Sequence, residues 1–384
     1  MPHYKMSDVV VEINDRENNP SESKYERFVG LEHYVSGEVI IRNFGSTERL
    51  ESTMKVFQSG DILVARRNVY LKRAATVDFD GLTSGDSIVL RPTNYLIGRI
   101  LPFVLNTDAF WDFADRYSDG TMSKRLSPKT LMKYEFDLPN DDELSLLADT
   151  LWAANDTREA YQELLRQSDE LVKSQFIELF GDPVYNPNKL YSSLLSDVSE
   201  IMSGITKGRK VKDTELVRVP YVCTANVQNG FIDWPETKYI EATTAEIQKY
   251  SLSADDILMI EGGDPDKVGR GCLAGSLPNQ CIYQNHVFRV RVNKTLLRPE
   301  FVAAYILLPS TKNYFFSCAK QTTGIATINK KQLGELQIMY PSLEQQDLYL
   351  SFVRQLDKSK FELKQSIANI TALMKSLMQQ DFSN

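Results

Sequence analysis

Lysine and arginine gather in this chain at a few short places, and such clusters are the chemistry that neutralises a polyanion. In the first half they are Arg66, Arg67, Lys72, Arg73, Lys124 and Arg125, and in the second Lys207, Arg209, Lys210, Lys212, Lys267, Arg270 and Lys330. Each contact between such a cation and a backbone phosphate releases condensed counterions and gives affinity that is independent of sequence. Reading a sequence needs side chains that pair with base edges as donors, acceptors or both. Arg67, Asn68, Ser123 and Arg125 have that capacity in the first half, and Arg209, Asn226, Gln321 and Asn329 in the second. A solvated charge or a turn amide would also explain any single member, so the expectation rests on the clusters.

No catalytic or metal-binding constellation accompanies them, and none is expected. His3, His33 and His286 have no partner at ligand or triad spacing. Cys223, Cys272, Cys281 and Cys318 form no CxxC pair, so reduced and mostly buried thiols are expected. The glycine-rich run Glu261–Gly271 lacks GxxxxGK[ST] and opens with acids, which makes it a hairpin loop able to approach a groove and not a nucleotide cradle. A DNA-modifying enzyme would need a glycine-rich cofactor turn and an Asn/Asp-Pro-Pro-aromatic motif to hold a flipped base. Asn186-Pro187-Asn188-Lys189 comes nearest and fails at the second proline.

The net charge of −7 would ordinarily count against a nucleic-acid partner. Its distribution matters more: Asp141, Asp142, Glu143, Asp149, Asp156, Glu159, Glu163, Asp169 and Glu170 fall in one helical stretch. At 384 residues, 42% hydrophobic and 25% charged, the chain reads as globular and too long for one core. No apolar run approaches the roughly 20 residues that span a bilayer, and the N-terminus lacks a secretory core, so the cytoplasm is the expected address.

The elements that must position these residues occur twice. Met6-Ser7-Asp8-Val9 matches Leu195-Ser196-Asp197-Val198, and Ser59-Gly60-Asp61-Ile62-Leu63 matches Ala254-Asp255-Asp256-Ile257-Leu258. Asp119-Gly120-Thr121 then matches Thr323-Gly324-Ile325, and Leu138-Pro139 matches Tyr340-Pro341. Four matches in one order, with a slowly drifting offset, indicate two homologous halves that differ by small insertions. Short strands are predicted at Val39–Arg42 and Tyr221–Cys223, at each Asp-Ile-Leu motif, and at Ser87–Leu90 and His286–Val290. An aromatic-rich helix follows in each half, Tyr95 to Tyr117 and Pro299 to Lys320, with Phe110-Trp111 and Phe315-Phe316 as core anchors.

Each half closes on a long amphipathic helix of coiled-coil character. The first carries Leu147, Leu151, Ala154, Tyr161, Leu164, Leu171 and Gln175 on its seam, with Arg158 and Ser168 interrupting; the second carries Val353, Leu356, Phe361, Leu363, Ile367, Ile370, Met374 and Leu377. Pro139-Asn140-Asp141 and Pro341-Ser342-Leu343-Glu344 mark the starts, and Gly181-Asp182-Pro183 ends the first. The fold class expected is α+β: two similar α/β recognition domains, 1–139 and 181–341, separated by antiparallel coiled-coil helices at 140–180 and 342–384. About 35 helical residues at 1.5 Å each would hold the domains roughly 50 Å apart, on the order of one to one and a half turns of B-DNA, which points to bipartite recognition.

Phe28-Val29-Gly30-Leu31-Glu32-His33 resembles an aromatic-x-G-L-E-H stretch common in the specificity subunits of type I restriction-modification systems. The same resemblance is carried by Gly60–Leu63, by Lys173–Asp182, by Thr323-Gly324-Ile325-Ala326-Thr327-Ile328-Asn329 and by Leu343-Glu344-Gln345-Gln346. It covers nearly the whole chain. It implies a non-catalytic subunit that reads double-stranded DNA, one half of an interrupted target per domain. Its partners would be two modification (methyltransferase) subunits along the helices, and restriction (translocase/nuclease) subunits. It places no cofactor on this chain, with S-adenosylmethionine and ATP on the partner subunits. The first half departs from the pattern: Val9 to Tyr25 is acidic and has no counterpart to the basic run Lys207–Lys212. Two other readings stay open, a coiled-coil adaptor whose domains bind proteins and a DNA-modifying enzyme with unrecognised motifs.

Overall fold

A computed structural model describes residues 2–120, 123–210, 215–234, 236–322 and 324–382. Lys212, Thr121 and Thr323 lie outside the described residues. The chain divides into two units, Met1–Glu163 with Leu363–Asn384, and Leu164–Glu362.

The apolar runs after the two Asp-Ile motifs are buried at every position, as central strands covered on both faces must be. In the first unit, β1 (Val10–Ile13), β2 (Ile62–Ala65), β3 (Ala74–Thr76) and β4 (Ser87–Pro92) form an antiparallel sheet ordered β1-β4-β2-β3. In the second, β5 (Ser199–Ser203), β6 (Ile257–Ile260), β7 (Gly271–Leu273) and β8 (Val287–Val292) repeat that order as β5-β8-β6-β7. Register agrees too. Pro92 faces Val10 and Leu90 faces Ile62; Val292 faces Ser199 and Val290 faces Ile257.

The duplication extends to single hydrogen bonds. Met6 N–H donates to the Tyr134 carbonyl and Leu195 N–H to that of Leu336, both at 2.8 Å. Thr93 donates to Val9 at 2.9 Å, and Asn293 to Val198 at 2.8 Å. A further sheet in each unit contains a parallel pairing, Phe28 with Leu82 and Tyr221 with Ile282.

The long helices are α1 (Asp141–Phe180) and α2 (Leu343–Phe382). Asn140 Oδ1 accepts from Glu143 N–H at 3.1 Å and Ser342 Oγ from Gln345 N–H at 3.3 Å, so each start is capped. Gly181, with φ of +83°, takes the left-handed turn that stops α1. Late α2 (Met374, Phe382) shares a core with early α1 (Leu144, Leu147, Leu151) in the first unit. Early α2 (Tyr349, Leu350) shares one with late α1 (Phe176, Phe180) in the second. The helices are therefore antiparallel.

Four expectations change. Leu164, Leu171 and Phe361 are exposed. The α1 seam keeps Arg158, as expected, and passes also through Asn155, Leu165 and Val172. Polar residues can hold that line because Arg158 donates to Asn155 at 2.9 Å and pairs with Glu38 at 2.5 Å. Each aromatic-rich helix is two helices: Tyr95–Val104 and Asp108–Tyr117, Pro299–Ile306 and Pro309–Cys318. Thr107 caps a fresh start in the first, and Pro309 forces Leu308 into extended backbone in the second. Val39–Arg42 makes one bridge, Ile40 with Thr76, and no strand. Phe316 is exposed, while Phe110, Trp111 and Phe315 are buried.

Candidate nucleic-acid interface

The sheet strands end at one equivalent junction in each unit, where three distant segments meet. In the first, Arg66 N–H donates to the Asp86 carbonyl at 2.9 Å, Leu126 N–H donates to the Arg66 carbonyl at 2.8 Å, and Arg67 bridges Arg125. In the second, Glu261 N–H donates to His286 at 2.9 Å, Ile328 N–H donates to Glu261 at 2.8 Å, and Gly262 pairs with Thr327. The backbone is the same, so the side chains it presents can be compared position by position.

All four base-reading candidates of the first half meet at its junction. The Asp86 carboxylate accepts from Arg67 at 3.4 Å and pairs with Arg125 at 3.2 Å, and these guanidiniums remain 47% and 44% exposed. Ser123 Oγ–H donates to Asn68 Oδ1 at 3.0 Å, while Asn68, at a left-handed φ of 56°, donates its N–H to the Lys124 carbonyl. Arg73 supports this loop from beneath, donating to the carbonyls of Leu31 at 2.8 Å and Arg67 at 3.1 Å. Lys72 and Lys124 pair with Asp108 and Asp115 at 2.8 and 2.6 Å. Lys55 was not evident from sequence. Buried, it donates Nζ–H to the Ser87 carbonyl at 3.1 Å, and burial lowers its pKa, with nearby Arg66 and Arg16 acting in the same direction. Exposed Arg67 and Arg125, not Lys55, give the first unit a basic surface despite its acidic opening segment.

The second half's candidates are dispersed. Arg209 is held by Glu246 through bonds of 2.5 and 2.6 Å, and that bond keeps the Glu246 carboxyl down at about 2. Asn226 is buried; its Oδ1 accepts from Cys223 N–H at 3.0 Å and its amide donates to the Asp233 carbonyl at 2.9 Å, so it fastens a turn instead of facing a groove. Asn329 is the N-cap of Lys330–Gly334 and accepts from Gln332 N–H at 2.9 Å. Those three side chains have structural duties that no spacing disclosed. Lys207, Lys210 and Lys330 are exposed. Gln321 lies on the strand Lys320–Thr322 and pairs with Ala326 beside the junction.

Lys267, which forms an ion pair with Asp264, and Arg270, which donates to Gln228 at 2.9 Å, line a concavity of about 330 Å³ with Phe231 and Lys312. Its glycine-rich border is a closely packed hairpin: a Cβ on Gly262 would lie 2.5 Å from the Ala326 carbonyl oxygen. Beyond Lys55, sequence reasoning missed Asp86, Glu261, His286 and Lys312. The first three gain meaning only from chain crossings that no local pattern announces. The described residues hold no group of His, Cys, Asp or Glu that could bind a metal, and no described helix is long and apolar enough to cross a membrane.

Residues 188–372 match the family model of the type I restriction modification DNA specificity domain. Over that segment the chain is similar to the type I specificity subunits. It is 22% identical over 314 residues to the type I restriction enzyme EcoKI specificity subunit of Escherichia coli K12, covering 77% of this chain and 67% of that one. A protein assigned as the MjaX specificity subunit in Methanocaldococcus jannaschii is 23% identical over 190 residues, 49% of this chain and 44% of that protein. Two solved folds span the whole chain. One comes from a structural study of complex assembly and conformational transition in the type I R-M system (17% identity, TM-score 0.54, 99% of this chain and 97% of that one). The other is the crystal structure of a type I S subunit from M. genitalium (14% identity, TM-score 0.52, 100% and 96%). The likeness to these two structures is one of fold, α/β domains with two long helices.

Proposed function

We propose that this chain is a type I specificity subunit that reads a bipartite DNA target, one half-site at each junction, and docks two modification subunits through its long helices. The observation that carries the reading is the repeated junction: two backbones matched bond for bond, bearing different polar side chains. A duplicated frame with unlike reading residues is what a target of two unlike halves requires. Exposed Arg67 and Arg125 can pair with guanine edges, while Lys207, Lys210, Lys267 and Lys330 supply phosphate contacts. S-adenosylmethionine and ATP are assigned to the modification and restriction subunits, and the assembly to the cytoplasm.

The test is reconstitution. The purified chain should neither methylate nor cleave DNA, and adding its modification subunits should give methylation at one split sequence. Methylation by the chain alone, or an unsplit target, would reject the reading.

A further inference from the structure

Matched backbones make the exchange of side chains at the two junctions interpretable. Where the first unit has Arg66 and Asp86, the second has Glu261 and His286. The first junction therefore presents guanidinium donors around an acid, while the second presents an acid held by an imidazole. His286 Nδ1 lies 2.5 Å from Glu261 Oε2, and its Nε2 lies 3.2 Å from Asn285 Nδ2. A neutral ring with its proton on Nδ1 satisfies both contacts: it donates to Glu261 and accepts from Asn285. Glu261 Oε1 has no partner among the described residues, and the side chain is 36% exposed.

We propose that Glu261 is a specificity-determining residue that accepts a hydrogen bond from the exocyclic amine of a cytosine in the second unit's half-site, with His286 as its positioning residue. The inference rests on the DNA-reading assignment above. Cytosine and adenine both offer an amine in the major groove, but adenine sets its N7 acceptor beside that amine, where it would repel a carboxylate. Guanine offers acceptors only, so cytosine is the base a carboxylate favours. Repulsion from the phosphates is offset by Lys320, whose strand joins the same small sheet as Gly262.

The test is selection of bound duplexes from a randomised pool by the full chain assembled with its modification subunits. Wild type should require cytosine at one position of one half-site. Glu261→Gln should weaken that requirement by roughly 5- to 150-fold, the range of one good base contact, and leave the other half-site intact. His286→Ala should weaken it too, and His286→Asn, which restores a donor near the Nδ1 position, should recover it. Arg67→Ala should alter the opposite half-site, which identifies the halves. Unchanged base preferences in Glu261→Gln, or no cytosine in that half-site, would overturn the proposal while leaving the DNA-reading assignment standing. A wild-type assembly that selects no sequence would overturn both.

Discussion

Arg291 grips Asp256 through two hydrogen bonds of 2.7 Å, from Nε to Oδ1 and from Nη2 to Oδ2. Asp256 also accepts from Ser253 N–H at 2.7 Å, closing the turn before β6. The first unit repeats this: Arg91 binds Asp61 at 2.7 and 2.8 Å, and Asp61 accepts from Gln58 N–H at 2.8 Å. The Asp-Ile-Leu motif shared by the halves is thus a structural clamp, with its aspartates buried and its arginines at the surface.

That asymmetry orders two substitutions. Arg291→Met leaves a buried carboxylate without its cation and should cost about 3–5 kcal/mol. Asp256→Asn keeps the turn acceptor and leaves an arginine that water can reach, so its cost should be smaller, about 1–3 kcal/mol. Urea unfolding of both variants checks the order; equal losses would mean that burial of the acid does not set the cost.

Asp108 predicts a pH dependence in the first unit. Hydrogen bonds from Lys375, foremost, and Lys72, both at 2.8 Å, hold its carboxyl at about 2, below the ordinary 3.8. A depressed folded pKa gives stability that is complete above the ordinary value and lost as pH falls from about 4 to about 2. These pairs are half exposed, so solvent screening limits Asp108→Asn to about 0.5–1 kcal/mol near neutrality. Comparing urea midpoints of wild type and variant across pH should show that gap closing in acid. A gap of constant size would contradict the pairing.

Burial pushes the Cys272 and Cys281 thiols up to about 12. At pH 8 they should stay unreactive toward a thiol-specific disulfide reagent in the folded protein, and react promptly after denaturation. Fast reaction of either in the native state would show that its strand opens.

The duplicated plan, both long helices and their caps were legible because their signals are local: Asn140, Ser342 and Gly181 sit within a few residues of the backbone groups they satisfy. The clustering of Arg67, Asn68, Ser123 and Arg125 was legible as composition. What escaped depends on residues far apart in the chain. Asp86 gains its role by meeting Arg67 and Arg125, and Glu261 by meeting His286. Leu164 and Leu171 leave the α1 seam, which keeps the predicted Arg158 and adds Asn155, a polar residue that can be buried there only because Arg158 donates to it. Arg209, Asn226 and Asn329 have the chemistry of base readers, but here Glu246, a turn and a helix start take up their hydrogen bonds.

The central claim is that two homologous units read two half-sites independently. Residues 190–340 should be replaced by the corresponding segment of a type I specificity subunit of different target, and methylated sites mapped after assembly with modification subunits. One half of the target should change and the other stay as it was. Changes in both halves, or in neither, would contradict the account.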